Sequence, residues 1–309
     1  MNLFSQLIAR YNQLKYALLH SQTFDAQHYG FPPLYYEIME SDQARVGAFR
    51  RAFAAYDFRD KVVCEAGVGR LALTQFYLPY VKRAYLIESN PHLRDHIVQY
   101  LAERGWSDKV VLLFQDAHTV ELPEPVDVLI AEMMSIFCIN EHQVPIFQHL
   151  RRFLRPGGQL FPERIINTIQ VARADFEAGY AHYPINFTRH WPELLSLAVV
   201  AHTIDLYQIT HKTEQLNLPI TPLLTGQANA VLLRSLIQLS EGHNFTGTDS
   251  LMPPTVCRLA EPTRVVAGKP VQLGARFRYG TTLDGAVFTL DTHQNNASPR
   301  KSASRRRNK

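Results

Sequence analysis

Two glutamates nine positions apart, Glu132 and Glu141, enclose a largely apolar stretch, Met133-Met134-Ser135-Ile136-Phe137-Cys138-Ile139-Asn140. Taken singly, each has an ordinary explanation. Glu132 could cap a turn, and Glu141 could begin a helix, where an acid favours the positive end of the dipole. Taken together, directly after an apolar run, they form a receptacle for a cation. Guanidinium fits best: it has five donors and no acceptor, and it stays charged. Two carboxylates can grip it from two sides, leaving the third nitrogen free to attack an electrophile. Rate then comes mainly from orientation, and no metal is required.

An electrophile site stands upstream. Val63-Cys64-Glu65-Ala66-Gly67-Val68-Gly69-Arg70-Leu71 reads as strand, acid, glycine turn. Gly67 and Gly69 let backbone approach a ligand at the carboxyl end of a strand. Glu88 falls at the end of the next strand, where a carboxylate can accept from ribose hydroxyls. Asp116, with Ala117 and His118 beside it, lies where an adenine amine would come within reach. The turn also satisfies the dinucleotide fingerprint. Glu65 favours S-adenosylmethionine over a nicotinamide dinucleotide: an acid before the first glycine opposes a pyrophosphate but suits ammonium and sulfonium charges.

Four apolar runs position these residues: 61–65, 84–88, 110–114 and 126–131. Helical stretches over 71–81, 91–103 and 143–154 separate them, and Arg155-Pro156-Gly157-Gly158 stops the last. This alternation predicts an α/β fold with a buried, doubly wound parallel sheet. Helices are expected over 3–19 and about 34–56. After Pro162 the pattern turns to β, with alternation over 272–278 and further runs at 166–171, 230–239 and 285–290; about 173–205 reads as more helical.

The 309 residues are 46% hydrophobic and 19% charged, and no apolar run reaches a membrane span. A cytoplasmic location is expected. Cys64, Cys138 and Cys257 are far apart and lack zinc spacing. The net charge of +4 misleads, because Arg300, Lys301, Arg305, Arg306, Arg307 and Lys309 crowd the last ten residues. The body is slightly acidic. The tail reads as a solvated, disordered end, with contact to nucleic acid as the alternative.

Residues 29–171 resemble the catalytic core of the protein arginine methyltransferases, a family within the class I S-adenosylmethionine-dependent methyltransferases. The resemblance rests on the glutamate spacing, on Leu154-Arg155-Pro156-Gly157-Gly158-Gln159-Leu160-Phe161-Pro162, and on Tyr36-Glu37-Ile38-Met39-Glu40-Ser41-Asp42-Gln43-Ala44-Arg45. It implies that the last segment, Met39 included, covers the cofactor. Tyr36 would lie over it and Arg45 would hold its methionine carboxylate. Gly67 would make the glycine turn, Glu88 would bind ribose, and His118 would meet adenine. It also implies four regions. Residues 1–56 form covering helices, 57–162 the cofactor domain, 163–295 an antiparallel β-barrel-like domain with a dimerisation arm near 173–205, and 296–309 a tail. Departures from the family pattern are Leu71 for a glycine, His118 for an acid, and Met133, Ser135 and Ile136 for Trp, Gly and Tyr. Ser250-Leu251-Met252 stands where the family has Thr-His-Trp.

The expectation is an N-methyltransferase. Arg45, Glu65, Gly67, Gly69, Glu88 and Asp116 bind the cofactor, and Glu132 and Glu141 orient the acceptor. Arginine in a peptide or protein is the first choice of acceptor, and free arginine or another amine metabolite the second. A non-catalytic binding protein is the alternative from another class. The chain is expected to be a homodimer.

Overall fold

The computed structural model describes residues 33–185, 191–246 and 252–292. The expected helix over 3–19, His190, Ser250, Leu251 and the basic tail lie outside them. The chain opens with α1 (Pro33–Glu40) and α2 (Gln43–Ala54). One continuous helix over 34–56 was expected. Asp42 divides it: its side chain accepts from the Arg45 N–H at 3.1 Å and so caps a second helix.

The parallel sheet follows: β1 (Val62–Ala66), β2 (Arg83–Ile87), β3 (Val110–Leu113), β4 (Val126–Ala131) and β5 (Leu154–Phe161), in spatial order β3-β2-β1-β4-β5. Its central strand β1 is buried throughout, which is why its sequence is an apolar run rather than an alternation. Helices α3 (Arg94–Glu103) and α4 (Gln143–Leu150) belong to this half. The expected helix over 71–81 is absent. That stretch holds a 3-10 turn over Thr74–Phe76 and buries Leu71, Leu73, Thr74, Tyr77 and Leu78. Leu71 sits at φ 70°, a left-handed angle that cannot start a right-handed helix. The Arg-Pro-Gly-Gly segment does not follow a helix as its stop. It lies inside β5, where the pairing with β4 jumps from Val126↔Leu154 to Val128↔Gln159. The extra residues bulge out, with Gly157 at φ 75°.

The remainder is antiparallel: β6 (Arg164–Arg173), β7 (His182–Pro184), β8 (Glu193–Leu194), β9 (Val199–Asp205), β10 (Thr213–Ile220), β11 (Gly226–Ser240), β12 (His243–Thr246), β13 (Thr255–Val265), β14 (Val271–Arg278) and β15 (Val287–Asp291). One sheet runs β7-β13-β11-β6-β8, with β12 on β11 and β9 on β6; a second runs β10-β14-β15. The helical arm expected near 173–205 is corrected here. Among the described residues this region holds the short strands β7, β8 and β9, of which β8 and β9 pair with β6. Pro184 and Pro192 interrupt any helix there.

The main apolar core among the described residues runs from α2 through the parallel sheet into the barrel-like domain, and a smaller cluster around Ala172, Ile185, Leu232 and Val256 packs separately. The aromatic centre of the main core packs Phe53 against Phe58, Tyr77 and Phe161 with centroids 5.5, 5.7 and 5.1 Å away. Phe49 reaches Phe245 of β12 at 6.1 Å. Gly158 sits where β5 packs closely against β4. A Cβ there would lie 2.7 Å from Leu154 Cδ1 and 2.9 Å from the Asp127 carbonyl oxygen. Gly158→Ala is expected to destabilise the fold by about 1–3 kcal/mol, read as a lower Tm in thermal unfolding; an unchanged Tm would contradict this packing.

Candidate active site

The glycine turn follows β1 directly, with Gly67 at φ 72° and Gly69 at φ 53°. The Gly67 N–H donates to the Ile87 carbonyl at 2.9 Å, and the Gly69 N–H donates to Glu88 Oε2 at 2.9 Å. Glu88 Oε1 accepts from the Asn90 N–H at 2.8 Å, and Asn90 Nδ2 donates to the Tyr36 hydroxyl at 3.1 Å. One chain of hydrogen bonds thus joins α1, the turn and the end of β2. Burial pushes the Glu88 carboxyl up, against the N–H groups of Asn90, Gly69 and Ser89 that pull it down. A carboxylate has about four acceptor positions, so these three N–H groups leave Glu88 capacity to accept from a hydroxyl. Asn90 was not singled out from sequence. Its signal was Asn-Pro, since its side chain caps the following turn by accepting from the His92 N–H at 3.0 Å.

Glu65, expected to bind the cofactor, also has partners within the chain. It is buried, and its Oε2 accepts from Thr74 Oγ1 and from the Tyr77 hydroxyl, both at 2.6 Å. It therefore ties the 74–77 turn to β1. Burial raises its pKa to about 7, against the two hydroxyl donors. Asp116 is exposed. It accepts at Oδ1 from the His118 N–H at 2.9 Å and faces His118 Nδ1 at 2.7 Å, and His118 Nε2 lies 3.1 Å from His142 Nδ1. Burial raises the Asp116 pKa, but the bonds to His118 outweigh it and the net shift is downward. Ala117, between the two, is buried.

Glu132 follows β4 directly and Glu141 precedes α4, so the loop between them closes over the carboxyl edge of the sheet. Ser135 Oγ folds the loop by accepting from the N–H groups of Asn140 and Glu141 at 3.0 and 3.1 Å. Gln143 ties its two ends, accepting from the Met133 N–H at 2.8 Å and donating to the Ala131 carbonyl at 2.9 Å. Met133 lies against the glycine turn, with its Sδ 3.3 Å from where a Gly67 Cβ would be. No hydrogen bond or ion pair to the Glu141 carboxylate is present among the described residues. Burial raises its pKa to about 7.

Arg45 joins the two halves of the site. Its guanidinium ion-pairs with Glu132 and also donates to the Met39 carbonyl, while its Nε lies 3.8 Å from Asp42 Oδ2. The structure thus brings Tyr36, Gly69 and Glu88 into one cluster, and Met39, Arg45 and Glu132 into another. Asp116 and His118 form a third with His142, which precedes α4 immediately after Glu141.

A parallel α/β sheet with a glycine turn after β1 and an acid after β2, followed by an antiparallel barrel-like domain, defines a class I methyltransferase fold with an appended β domain. No family model matches the chain. A protein of Methanocaldococcus jannaschii described as uncharacterized is 25% identical over 261 residues, covering 84% of this chain and 97% of that one. The histone-arginine methyltransferase CARMER is 27% identical over 157 residues in Anopheles gambiae and 30% over 139 in Drosophila persimilis. These segments span 50% and 44% of this chain but only 25% and 26% of CARMER. Among solved structures, a chain of the Trypanosoma brucei PRMT1 enzyme–prozyme heterotetrameric complex with AdoHcy superposes with a TM-score of 0.66 at 17% identity, covering 82% of this chain and 89% of that one. Arabidopsis thaliana protein arginine methyltransferase 10 gives 0.66 at 15%, covering 79% and 87%. The chain is thus similar to protein arginine methyltransferases in fold over most of its length and in sequence over about half of it.

A buried carboxyl whose pKa is raised holds its proton in the folded chain when the unfolded chain has lost it. Stability then falls as pH climbs from the ordinary carboxylate range through about 7. Glu141→Gln removes this penalty. The variant is expected to raise Tm at pH 8 and leave it unchanged at pH 5; an equal shift at both pH values would contradict a protonated Glu141.

Proposed function

We propose that the chain is an S-adenosylmethionine-dependent N-methyltransferase that acts on a guanidinium nitrogen, with arginine in a peptide or protein as its substrate. One observation carries this reading: Glu132 already holds a guanidinium, that of Arg45, while its partner Glu141 has no cation. The likeness of about half of the chain to enzymes named for arginine methylation supports it.

Tyr36, Met39, Arg45, the Gly67–Gly69 turn and Glu88 would hold the cofactor, with Asp116, Ala117 and His118 beyond Glu88. Glu65 would support the turn from beneath. When bound, S-adenosylmethionine supplies a methyl group on a sulfonium as the electrophile. Glu132 exchanges Arg45 for the incoming guanidinium, and Glu141 gives up its proton as the cation arrives. The two carboxylates draw positive charge onto the nitrogens they grip, and the third nitrogen keeps a lone pair for attack.

Assembly as a homodimer in the cytoplasm belongs to the same reading. No helix among the described residues is long and apolar enough to cross a membrane. Leu194, Leu197, Val200, Leu223 and Leu224 are exposed on the barrel-like domain. The Leu195 carbonyl accepts from the Leu223 N–H at 2.7 Å, which brings the two leucine pairs together. A patch of this kind marks an interaction surface. Light scattering is expected to give twice the chain mass for the wild type and a single chain mass for Leu197→Glu with Leu223→Glu.

The activity is tested by offering labelled S-adenosylmethionine with an arginine-rich peptide and, in parallel, free arginine. Label is expected in the peptide; label in free arginine alone would make the substrate a small molecule. Glu132→Gln is expected to lower kcat about 100-fold or more while leaving the affinity for S-adenosylhomocysteine unchanged or tighter, because Arg45 is released. Retained turnover in this variant would sink the mechanism.

A further inference from the structure

The loop between the glutamates contains two consecutive non-glycine residues in the left-handed region, Phe137 at φ 57°, ψ 12° and Cys138 at φ 54°. Such a pair persists only where surrounding contacts over-determine it. Here the contacts come from the barrel-like domain. The buried Phe137 N–H donates to Ser235 Oγ of β11 at 3.0 Å, and Ser235 Oγ–H donates to Asn167 Oδ1 of β6 at 2.6 Å. Asn167 Nδ2 lies 3.1 Å from His202 Nε2 of β9. The direction of this chain is fixed. Ser235 accepts from the backbone, so its own proton must go to Asn167 Oδ1, and Asn167 Nδ2 must donate to an unprotonated His202 Nε2. Burial agrees, pushing the His202 pKa down to about 4. The Phe137 ring completes the clamp, 5.3 Å from the His202 ring and 5.7 Å from Phe277.

The far side of the loop is held by backbone. The N–H groups of Gly280 and Thr281 donate to the Cys138 and Ile139 carbonyls at 3.2 and 2.6 Å, and the Leu283 N–H donates to Asn140 Oδ1 at 2.9 Å. Every one of these anchors lies beyond the parallel sheet that delivers Glu132. Glu132 is thus placed by β4, and Glu141 is placed jointly by the Ser135 and Gln143 bonds within the loop and by these anchors on the barrel-like domain.

We propose that Ser235 and Asn167 are positioning residues for the glutamate pair: their hydrogen bonds lock Phe137 in its left-handed conformation and thereby fix where Glu141 stands relative to Glu132. This role rests on the reading of the pair as a guanidinium receptacle, and its test has one arm that does not depend on turnover. Ser235→Ala leaves the Phe137 N–H and Asn167 Oδ1 without partners.

The experiment follows the Glu141 carboxyl by carbon NMR across pH in the full chain, assigned with Glu141→Gln, and measures kcat and KM on the arginine-rich peptide. The wild-type midpoint is expected near 7. In Ser235→Ala the loop relaxes and Glu141 meets water, so the midpoint falls by about one unit or more. At a temperature well below unfolding, kcat falls about tenfold or more and the KM for S-adenosylmethionine stays within about twofold. Ser235→Thr keeps the oxygen and should keep both wild-type values. If Ser235→Ala is insoluble, Ser235→Cys, of similar volume and a poorer acceptor, replaces it with the same expectation. A folded variant with a lower Tm but a wild-type midpoint and kcat would show a purely structural role and overturn the proposal. A wild-type chain that methylates no guanidinium acceptor, while Ser235→Ala still shifts the Glu141 midpoint, would overturn the activity and leave the positioning role standing.

Discussion

A carboxylate removed from water must find a proton, a set of donors or a cation. Four glutamates around the carboxyl edge of the parallel sheet meet this constraint in different ways. Glu65 takes two hydroxyl donors. Glu88 takes backbone N–H groups from both sides. Glu132 takes the guanidinium of Arg45. Glu141 takes none of these among the described residues, and burial raises its pKa to about 7. The first two are satisfied inside the fold and serve its geometry. Of the last two, one is completed by a cation from within the chain, and the proposed function has a substrate cation complete the other.

The architecture follows from holding these groups apart. The sheet fixes Glu65, Glu88 and Glu132 at adjacent strand ends, in the order set by β2-β1-β4. Helix α2 brings Arg45 over the edge, with its start fixed by the Asp42 cap and its body by the Phe53 cluster. Glu141 depends on more than the sheet, to which Gln143 ties its end of the loop. Its loop is folded by Ser135 and clamped from β6, β9 and β11, so the second domain reaches into the site through Phe137.

The parallel strands were legible because each is buried on both faces and reads as an apolar run. The glutamate loop was legible from composition, since two acids bracket a stretch that otherwise belongs in a core. Two kinds of feature were not. The first is backbone that contradicts its residue type. Leu71 occupies a left-handed position where a related turn has glycine, so the segment to 81 reads as a helix and folds as a turn. The second is partnership across the chain. Nothing local marks Ser235 or Asn167, which look like ordinary polar residues in alternating strands, and their partners lie 98 and 68 positions away. Near 173–205, apolar residues and prolines in short pieces gave no period long enough to tell strand from helix.

The central claim is that Glu141 waits protonated for a guanidinium, and proton linkage tests it most directly. Binding of an arginine-containing peptide to the complex with S-adenosylhomocysteine can be followed by calorimetry at pH 6.5 in buffers of different ionisation enthalpy. Release of most of a proton per site, about 0.7 to 0.8 at this pH, abolished in Glu141→Gln, is the predicted result. Binding with no proton released, or the same release in the variant, would contradict it.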